Sequence, residues 1–179
     1  MTATKAAASY GRLSGILLLI CAVVAGLLGL VNAITADKIA AINLEKTNRS
    51  MREVLPADTY RELRYTGDDA AVAAVYDAAG QGYVVEVTPS GFGGEIDMVV
   101  GVGLDGTVTG VSIISMSETS GLGANANRES FRQQYIGKSG ALAVSKDGGE
   151  IDALTGATIT SRAVTSGVNS AVQAAADAR

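Results

Sequence analysis

Residues 82–119 read GYVVEVTPSGFGGEIDMVVGVGLDGTVTGVSIISMSET, and this stretch decides the fold. Tyr83-Val84-Val85-Glu86-Val87 is rich in β-branched residues and is closed by Pro89-Ser90-Gly91, a turn signal. Glu95 to Val102 forms a second run of the same kind. Asp105-Gly106 signals a two-residue hairpin, and Thr107 to Ser115 follows it with Val108, Val111, Ile113 and Ile114 apolar. Three successive strands joined by short turns make an antiparallel meander. Val84, Val87, Val108 and Ile113 are read as its core.

Downstream, Glu118 to Gly123 is a Gly-rich loop, and Asn127 to Tyr135 reads as a short helix. Leu142-Ala143-Val144 reads as a short strand before the turn Lys146-Asp147-Gly148-Gly149. From Thr160 to Ala178, Val164, Val168, Val172 and Ala175 recur at helical spacing, which predicts a terminal helix packed on the sheet. The fold class is therefore α+β: an antiparallel sheet with flanking helices.

Upstream, residues 13–34 read LSGILLLICAVVAGLLGLVNAI, 22 residues without a charge. A helix of that length spans about 33 Å, enough for a hydrocarbon core of roughly 30 Å. A cleaved signal peptide ending at Val31-Asn32-Ala33 is the rival reading, but the run exceeds the usual apolar core of about 7–15 residues. Cys21 is read as a thiol facing lipid, because the bulky Ile20 before it argues against lipoprotein processing. Gly11, Gly15, Gly26 and Gly29 are small enough to admit another helix, and equally are ordinary residues of a membrane helix. Residues 1–12 carry Lys5 and Arg12 and no acid, whereas residues 35–179 carry the other 12 basic and all 18 acidic groups. The positive-inside rule then puts the N-terminus in the cytoplasm and the bulk of the chain outside. Residues 35–55, TADKIAAINLEKTNRSMREVL, extend the helix as a stalk. The expected organisation is a cytoplasmic tail (1–12), a transmembrane helix (13–34), a helical stalk (35–52) and a folded domain (53–179).

Composition narrows the chemistry. The 179 residues include no His, so a Ser-His-Asp triad, a His metal site and a His proton shuttle are excluded. One Cys excludes an internal disulfide, a Cys-rich zinc site and a self-contained iron–sulfur cluster. No metal site is expected. A net charge of −4 argues against nucleic acid as a partner.

Residues 151–164, IDALTGATITSRAV, carry what chemistry there is. Thr155, Gly156, Ala157 and Thr158 form a small-residue turn opening the last helix, and Thr160 or Ser161 can cap it. A helix start favours an anion, and Gly156 and Ala157 leave room for a phosphate. An ordinary cap with no ligand fits the same local features.

Asp152-Ala153-Leu154-Thr155-Gly156-Ala157-Thr158 matches the flavinylation motif Asp-x-x-Ser/Thr-Gly-Ala-Thr/Ser. Ser117-Glu118-Thr119-Ser120-Gly121-Leu122-Gly123 resembles the Glu-Thr-Pro-Gly-Leu-Gly loop of the same FMN-binding domains, with Ser120 in place of Pro. Phe92-Gly93-Gly94 before an apolar strand, and Gly26 to Thr35 leading out of the membrane, fit as well. With these matches spread over nearly the whole chain, the sequence resembles the G subunits of the Rnf complex, the ion-translocating ferredoxin:NAD⁺ oxidoreductase. The C subunits of the Na⁺-translocating NADH:quinone reductase are related to them.

That resemblance implies FMN joined by its phosphate to the Thr158 hydroxyl. Thr160 and Ser161 are alternative acceptors by position, though capping suits them better. It implies that Thr155, Gly156 and Ala157 lie at the phosphate or ribityl chain, and that Glu118, Thr119, Gly121, Leu122 and Gly123 lie against the flavin. Asp152 either helps a flavin transferase recognise the segment or position its metal, or bonds the turn backbone. A Thr hydroxyl is a weak nucleophile, and with no His the chain is short of a base, so maturation falls to a separate transferase using FAD and Mg²⁺. The implied role is electron transfer in the membrane, among other Rnf subunits that hold the remaining redox sites. The chain alone is expected to turn over nothing. A flavin carrier for another extracytoplasmic redox system, and an anchored scaffold without flavin, are the alternatives.

Overall fold

The computed structural model describes residues 3–179, with side chains from Leu13 onward except at positions 37 and 40. The expected cytoplasmic tail lies outside the described residues apart from its helical backbone from Ala3. Helix α1 runs Ala3–Val54. Within it Leu13–Ala36 is a 24-residue apolar span whose 18-residue core has a mean hydropathy of 2.7 and is not buried in the protein. Leu17, Leu18, Leu19, Leu28 and Ile34 are each more than half exposed. A helix that is apolar on every side and uncovered by protein has the length and surface to cross a membrane.

The second compact unit is Glu45–Arg179. It holds strands β1 (Arg61–Leu63), β2 (Val72–Asp77), β3 (Gly82–Val87), β4 (Ile96–Gly103) and β5 (Val108–Met116), then helices α2 (Glu129–Arg132) and α3 (Thr158–Asp177). The strands form one sheet in sequence order, antiparallel throughout. The α+β expectation therefore stands, with two strands added at the N-terminal edge.

Alternation along the strands sends side chains to both faces, and both faces are covered. Val75, Val85, Val87, Met98, Val100 and Val102 belong to the main core together with Val164, Val168, Ala171 and Ala175 of α3. On the other face Val84 and Val99 pack with Met51, Val54 and Leu55 at the end of α1. That end lies close to the sheet because Gly101 and Gly110 are cross-strand partners. A Cβ at Gly110 would sit 2.7 Å from Val54 Cα. Two carbonyls left free by the end of α1 find side-chain donors: Thr109 Oγ1 donates to Val54 O at 2.7 Å and the Tyr60 hydroxyl to Leu55 O at 2.7 Å.

Several local expectations are corrected. The Asp105-Gly106 connection is a three-residue loop, not a two-residue one. Gly103 N donates to Thr107 O at 2.8 Å, and Gly106 takes φ 87°. This is a turn followed by a left-handed residue, stabilised by Asp105 Oδ1, which accepts from both Thr107 N and Thr107 Oγ1. Residues 127–135 do not make one helix. The four residues of α2 sit between 3-10 turns at Gly123–Asn127 and Gln133–Tyr135. Leu142–Val144 is not a strand, since only Val144 pairs, in an isolated bridge to Ile151. Helix α3 starts at Thr158, two residues earlier than expected.

Tyr135 links these short turns to α3. Its ring is fully buried, edge-on to Phe131 with centroids 5.7 Å apart, and its hydroxyl meets Thr165 Oγ1 at 2.9 Å. Burial pushes the phenol up to about 12, outweighing the opposing effect of the Thr165 bond. An unfolded phenol ionises near ~10, so the folded state holds its proton where the unfolded state has released it. The resulting stability is complete below about pH 10 and lost as pH rises toward the folded value. Denaturation of the full chain in detergent is expected to show a falling midpoint above about pH 10. Tyr135→Phe should flatten that slope. Part of it will remain, because burial and the nearby Glu86 and Glu62 also raise Tyr76. An identical slope in Tyr135→Phe would assign the effect elsewhere.

Candidate flavin site

The site is built where three segments converge: the 91–94 loop, the 118–123 loop and the start of α3. The last begins with a tight turn. Ala157 N donates to Leu154 O at 3.0 Å, and Gly156 adopts φ 74°, a conformation that L side chains resist. A Cβ there would also approach Leu122 Cδ2 at 3.1 Å, so position 156 calls for glycine on two counts. Ser161, fully buried, holds the turn to the helix. Its Oγ accepts from Leu154 N at 2.9 Å and donates to Ala157 O at 3.0 Å. Neither Ser161 nor Thr160 caps α3, contrary to expectation. Ala157 occupies the cap position, and no side chain caps the first-turn N–H groups.

Glu118 joins the three segments. One carboxylate oxygen accepts from Phe92 N at 2.7 Å and Gly93 N at 3.2 Å. The other accepts from Thr160 Oγ1 at 3.0 Å. Three donors on one half-buried carboxylate make it a structural tie rather than a free acid or base. The neighbouring loop turns sharply: Leu122 N and Ala124 N both donate to Thr119 O at 3.1 Å, with Gly121 at φ 78°. Asn125 Nδ2 donates to Gly121 O at 2.8 Å and fixes the turn.

Between these segments lies an open cleft of about 370 Å³. Glu118, Thr119, Leu122, Gly123, Gly156, Ala157 and Thr158 line it, and so do Phe92, Ile159 and Thr160. Five large apolar side chains are exposed on the globular unit, namely Phe92, Leu104, Leu122, Ile136 and Ile159. Three of the five face this one cleft, where an apolar ligand would cover them. Phe92 and Ile159 are additions to the expected contacts. In the sequence Phe92 is marked only as part of a loop motif, and Ile159 points into the cleft because the helix starts early.

The structure does not bring three of the expected residues to the cleft wall. Thr155 is exposed and does not line it. Gly121 shapes the loop that presents Leu122. Asp152 is exposed, and its main chain is what is bonded: its N–H donates to Gln134 Oε1 at 2.7 Å, and its carbonyl accepts from Gln134 Nε2 at 3.4 Å. Its carboxylate makes no hydrogen bond to the turn among the described residues, so the turn-bonding reading of Asp152 is not what the structure contains.

Thr158 stands at one wall of the cleft as the first residue of α3. Its hydroxyl accepts a hydrogen bond from Lys146 Nζ at 3.0 Å. Nothing in the sequence around Lys146 singles it out for this place.

Residues 91–173 match the FMN-binding domain family, and residues 1–54 match the RnfG N-terminal region. The G subunit of the Na⁺-translocating ferredoxin:NAD⁺ oxidoreductase complex of Acetobacterium woodii is 37% identical, over 90% of this chain and 89% of that protein. This chain belongs to the family of G subunits of ion-translocating oxidoreductase complexes. The G subunit of the proton-translocating ferredoxin:NAD⁺ oxidoreductase complex of Clostridium ljungdahlii is 42% identical, over 78% of this chain and 77% of that protein. Among solved structures, the C subunit of the Na⁺-translocating NADH-quinone reductase from Parabacteroides distasonis is 26% identical with a TM-score of 0.47, over 57% of this chain and 59% of that one. Every residue lining the cleft falls within the FMN-binding domain match. The two G subunits named here differ in the ion their names carry, so likeness to them does not choose an ion for this chain.

The residues present fit such a group. The apolar wall of Phe92, Leu122 and Ile159 suits an isoalloxazine ring. A lone ammonium beside a hydroxyl suits a phosphoester, and Gly156 and Gly123 keep the cleft clear of side chains between them.

Proposed function

We propose that the Thr158 hydroxyl carries FMN through a phosphoester, and that the chain serves in electron transfer within a membrane Rnf complex. In that complex electron transfer between ferredoxin and NAD⁺ drives transport of Na⁺ or H⁺. When bound, the flavin supplies the redox chemistry, and the protein sets its position and electrostatics. The observation that carries the reading is the position of Thr158, whose hydroxyl lies at the rim of the apolar cleft with Lys146 against it.

The chain's own residues divide the task. Phe92, Leu122 and Ile159 exclude water from one side of the ring. Glu118 holds the 91–94 loop and α3 at fixed spacing. Gly156 lets the ribityl and phosphate portion pass close to the backbone. A covalent tether suits a domain on the extracytoplasmic side, where a dissociated flavin would be lost, because it replaces bimolecular binding with a high effective concentration. The charge asymmetry about residues 13–34 favours that side for the domain, with the N-terminus cytoplasmic. The half-open cleft suits exchange with a neighbouring protein of the complex. Attachment is assigned to a separate flavin transferase using FAD and Mg²⁺, to which the exposed Asp152 carboxylate is available.

The test uses the full chain, produced in membranes of a host that makes such a transferase. The expected result is flavin fluorescence that stays with the chain through a denaturing gel, and a visible spectrum bleached reversibly by dithionite. A chain that leaves the denaturing gel dark would refute the covalent reading.

A further inference from the structure

We infer that Lys146 is the counter-ion of the flavin phosphodiester, placed there by a turn that the Asp147–Arg162 pair locks in position. This rests on the assignment of Thr158 as the attachment residue and deepens it.

The argument begins with charge. Lys146 is followed at once by Asp147, and Glu150 is close in sequence, so an ordinary surface lysine would have acids to pair with. Both are engaged elsewhere. Asp147 makes two parallel bonds to Arg162, from Nε at 2.7 Å and from Nη2 at 2.6 Å. Glu150 is held by Lys138 Nζ at 2.6 Å. These arrangements lower the carboxyl of Asp147 through Arg162 and that of Glu150 through Lys138, so both are firmly anionic and satisfied. Among the described residues Lys146 has no carboxylate partner. Its one hydrogen bond is to Thr158 Oγ1.

Local geometry makes this placement specific. Ser145–Asp147 is a 3-10 turn closed by Gly148 in the left-handed region at φ 83°. Gly149 follows with no room for a side chain, since a Cβ there would collide with the Ala143 backbone. Arg162 lies four residues after Thr158, on the same face of α3. Its bidentate grip on Asp147 therefore fixes the turn relative to Thr158 itself. Lys146 is not part of the cleft wall, so its ammonium approaches the hydroxyl from the turn while the cleft stays open for the ring. Once Thr158 carries a phosphodiester, an anionic oxygen stands beside an ammonium that has no other anion to satisfy. Such charge-assisted contacts form at about 2.7–2.9 Å and are roughly twice as strong as neutral ones.

The test uses the full chain in detergent, labelled with ¹⁵N-lysine and prepared with and without a flavin transferase and FAD. Intact mass and peptide mapping establish whether Thr158 is loaded. The ammonium resonance of Lys146, assigned by its loss in Lys146→Arg, is then compared between the two states. The expected result is a shift and slowed hydrogen exchange for Lys146 on loading, with Lys138 unmoved. Lys146→Gln is expected to load more slowly, and Lys146→Arg to recover much of the rate. A Lys146 resonance that is unchanged in protein loaded at Thr158 overturns the pairing while leaving the attachment assignment intact. Flavin mapped to another residue, or no loading at all, overturns the attachment assignment, and the pairing falls with it.

Discussion

Thr158→Val, produced as the full chain alongside a flavin transferase, is expected to gain no flavin, while the parent gains one. Val matches Thr in volume but has no hydroxyl, so the change removes the oxygen that would bond phosphorus. The side chain is only partly buried at the rim of the cleft, and α3 takes no side-chain cap from it. Folding should therefore be untouched, and the difference in loading complete rather than graded. Thr158→Ser keeps the oxygen and should load. Thr160 and Ser161 are poor substitutes on structural grounds. Thr160 is buried with its hydroxyl committed to Glu118, and Ser161 is buried with its hydroxyl committed to the Leu154–Ala157 turn. Freeing either would break a contact that holds the site together. The measurement is intact mass, followed by peptide mapping. A Thr158→Val chain that still carries one flavin would remove Thr158 from its role. In that event the exposed Thr155 is the next hydroxyl to map, because no hydrogen bond competes for it among the described residues.

The contrast between these hydroxyls shows what is legible in the sequence. The meander of β3, β4 and β5 is legible because each strand carries β-branched residues between strong turn signals. β1 and β2 are not. β1 has three residues, Arg61–Leu63, of which two are exposed, and β2 has adjacent alanines that blur its alternation. Sheet pairing, of β2 with β3 and of β1 with β2, supplies what these strands lack in propensity. The 127–135 segment reads as one helix, yet its backbone breaks into short turns that bury Phe131 and Tyr135. In the site, the Gly-rich loop and the Thr155–Thr158 turn stand out because small residues at fixed spacing let a ligand or another chain segment approach the backbone. Lys146 carries no such mark. A lysine followed by Asp-Gly-Gly reads as a solvated turn, and its position depends on Asp147 reaching Arg162, fifteen residues away. The tie through Glu118 is equally hidden, since its donors come from 26 residues before it and 42 after it.

That tie yields the other large effect, at Gly123. A Cβ on Gly123 would sit 2.5 Å from one Glu118 carboxylate oxygen, 2.7 Å from Thr160 Oγ1 and 3.0 Å from Glu118 Cβ. The carboxylate cannot swing aside freely, because Phe92 N, Gly93 N and Thr160 hold it. Gly123→Ala therefore forces a choice between overpacking and loss of those bonds, each costing about 1–3 kcal/mol. The expected outcome is destabilisation of roughly 1–3 kcal/mol by denaturant midpoint, by the same principles, together with strongly reduced flavin loading as the 91–94 loop and α3 lose their spacing. Gly121→Ala is the control. Nothing lies within 4 Å of a Cβ there, so the change carries only the strain of φ 78°, about 1–2 kcal/mol, with the cleft intact. A double-mutant cycle locates the cause. If Gly123 matters because it makes room for the Glu118 tie, Gly123→Ala will cost less in a Glu118→Ala background than in the parent, since the carboxylate contact and the bonds it holds are already gone and Thr160, released from Glu118, can turn away. Strictly additive losses would mean that Gly123 acts through something other than Glu118, and the tie would lose its place as the element that sets the width of the cleft.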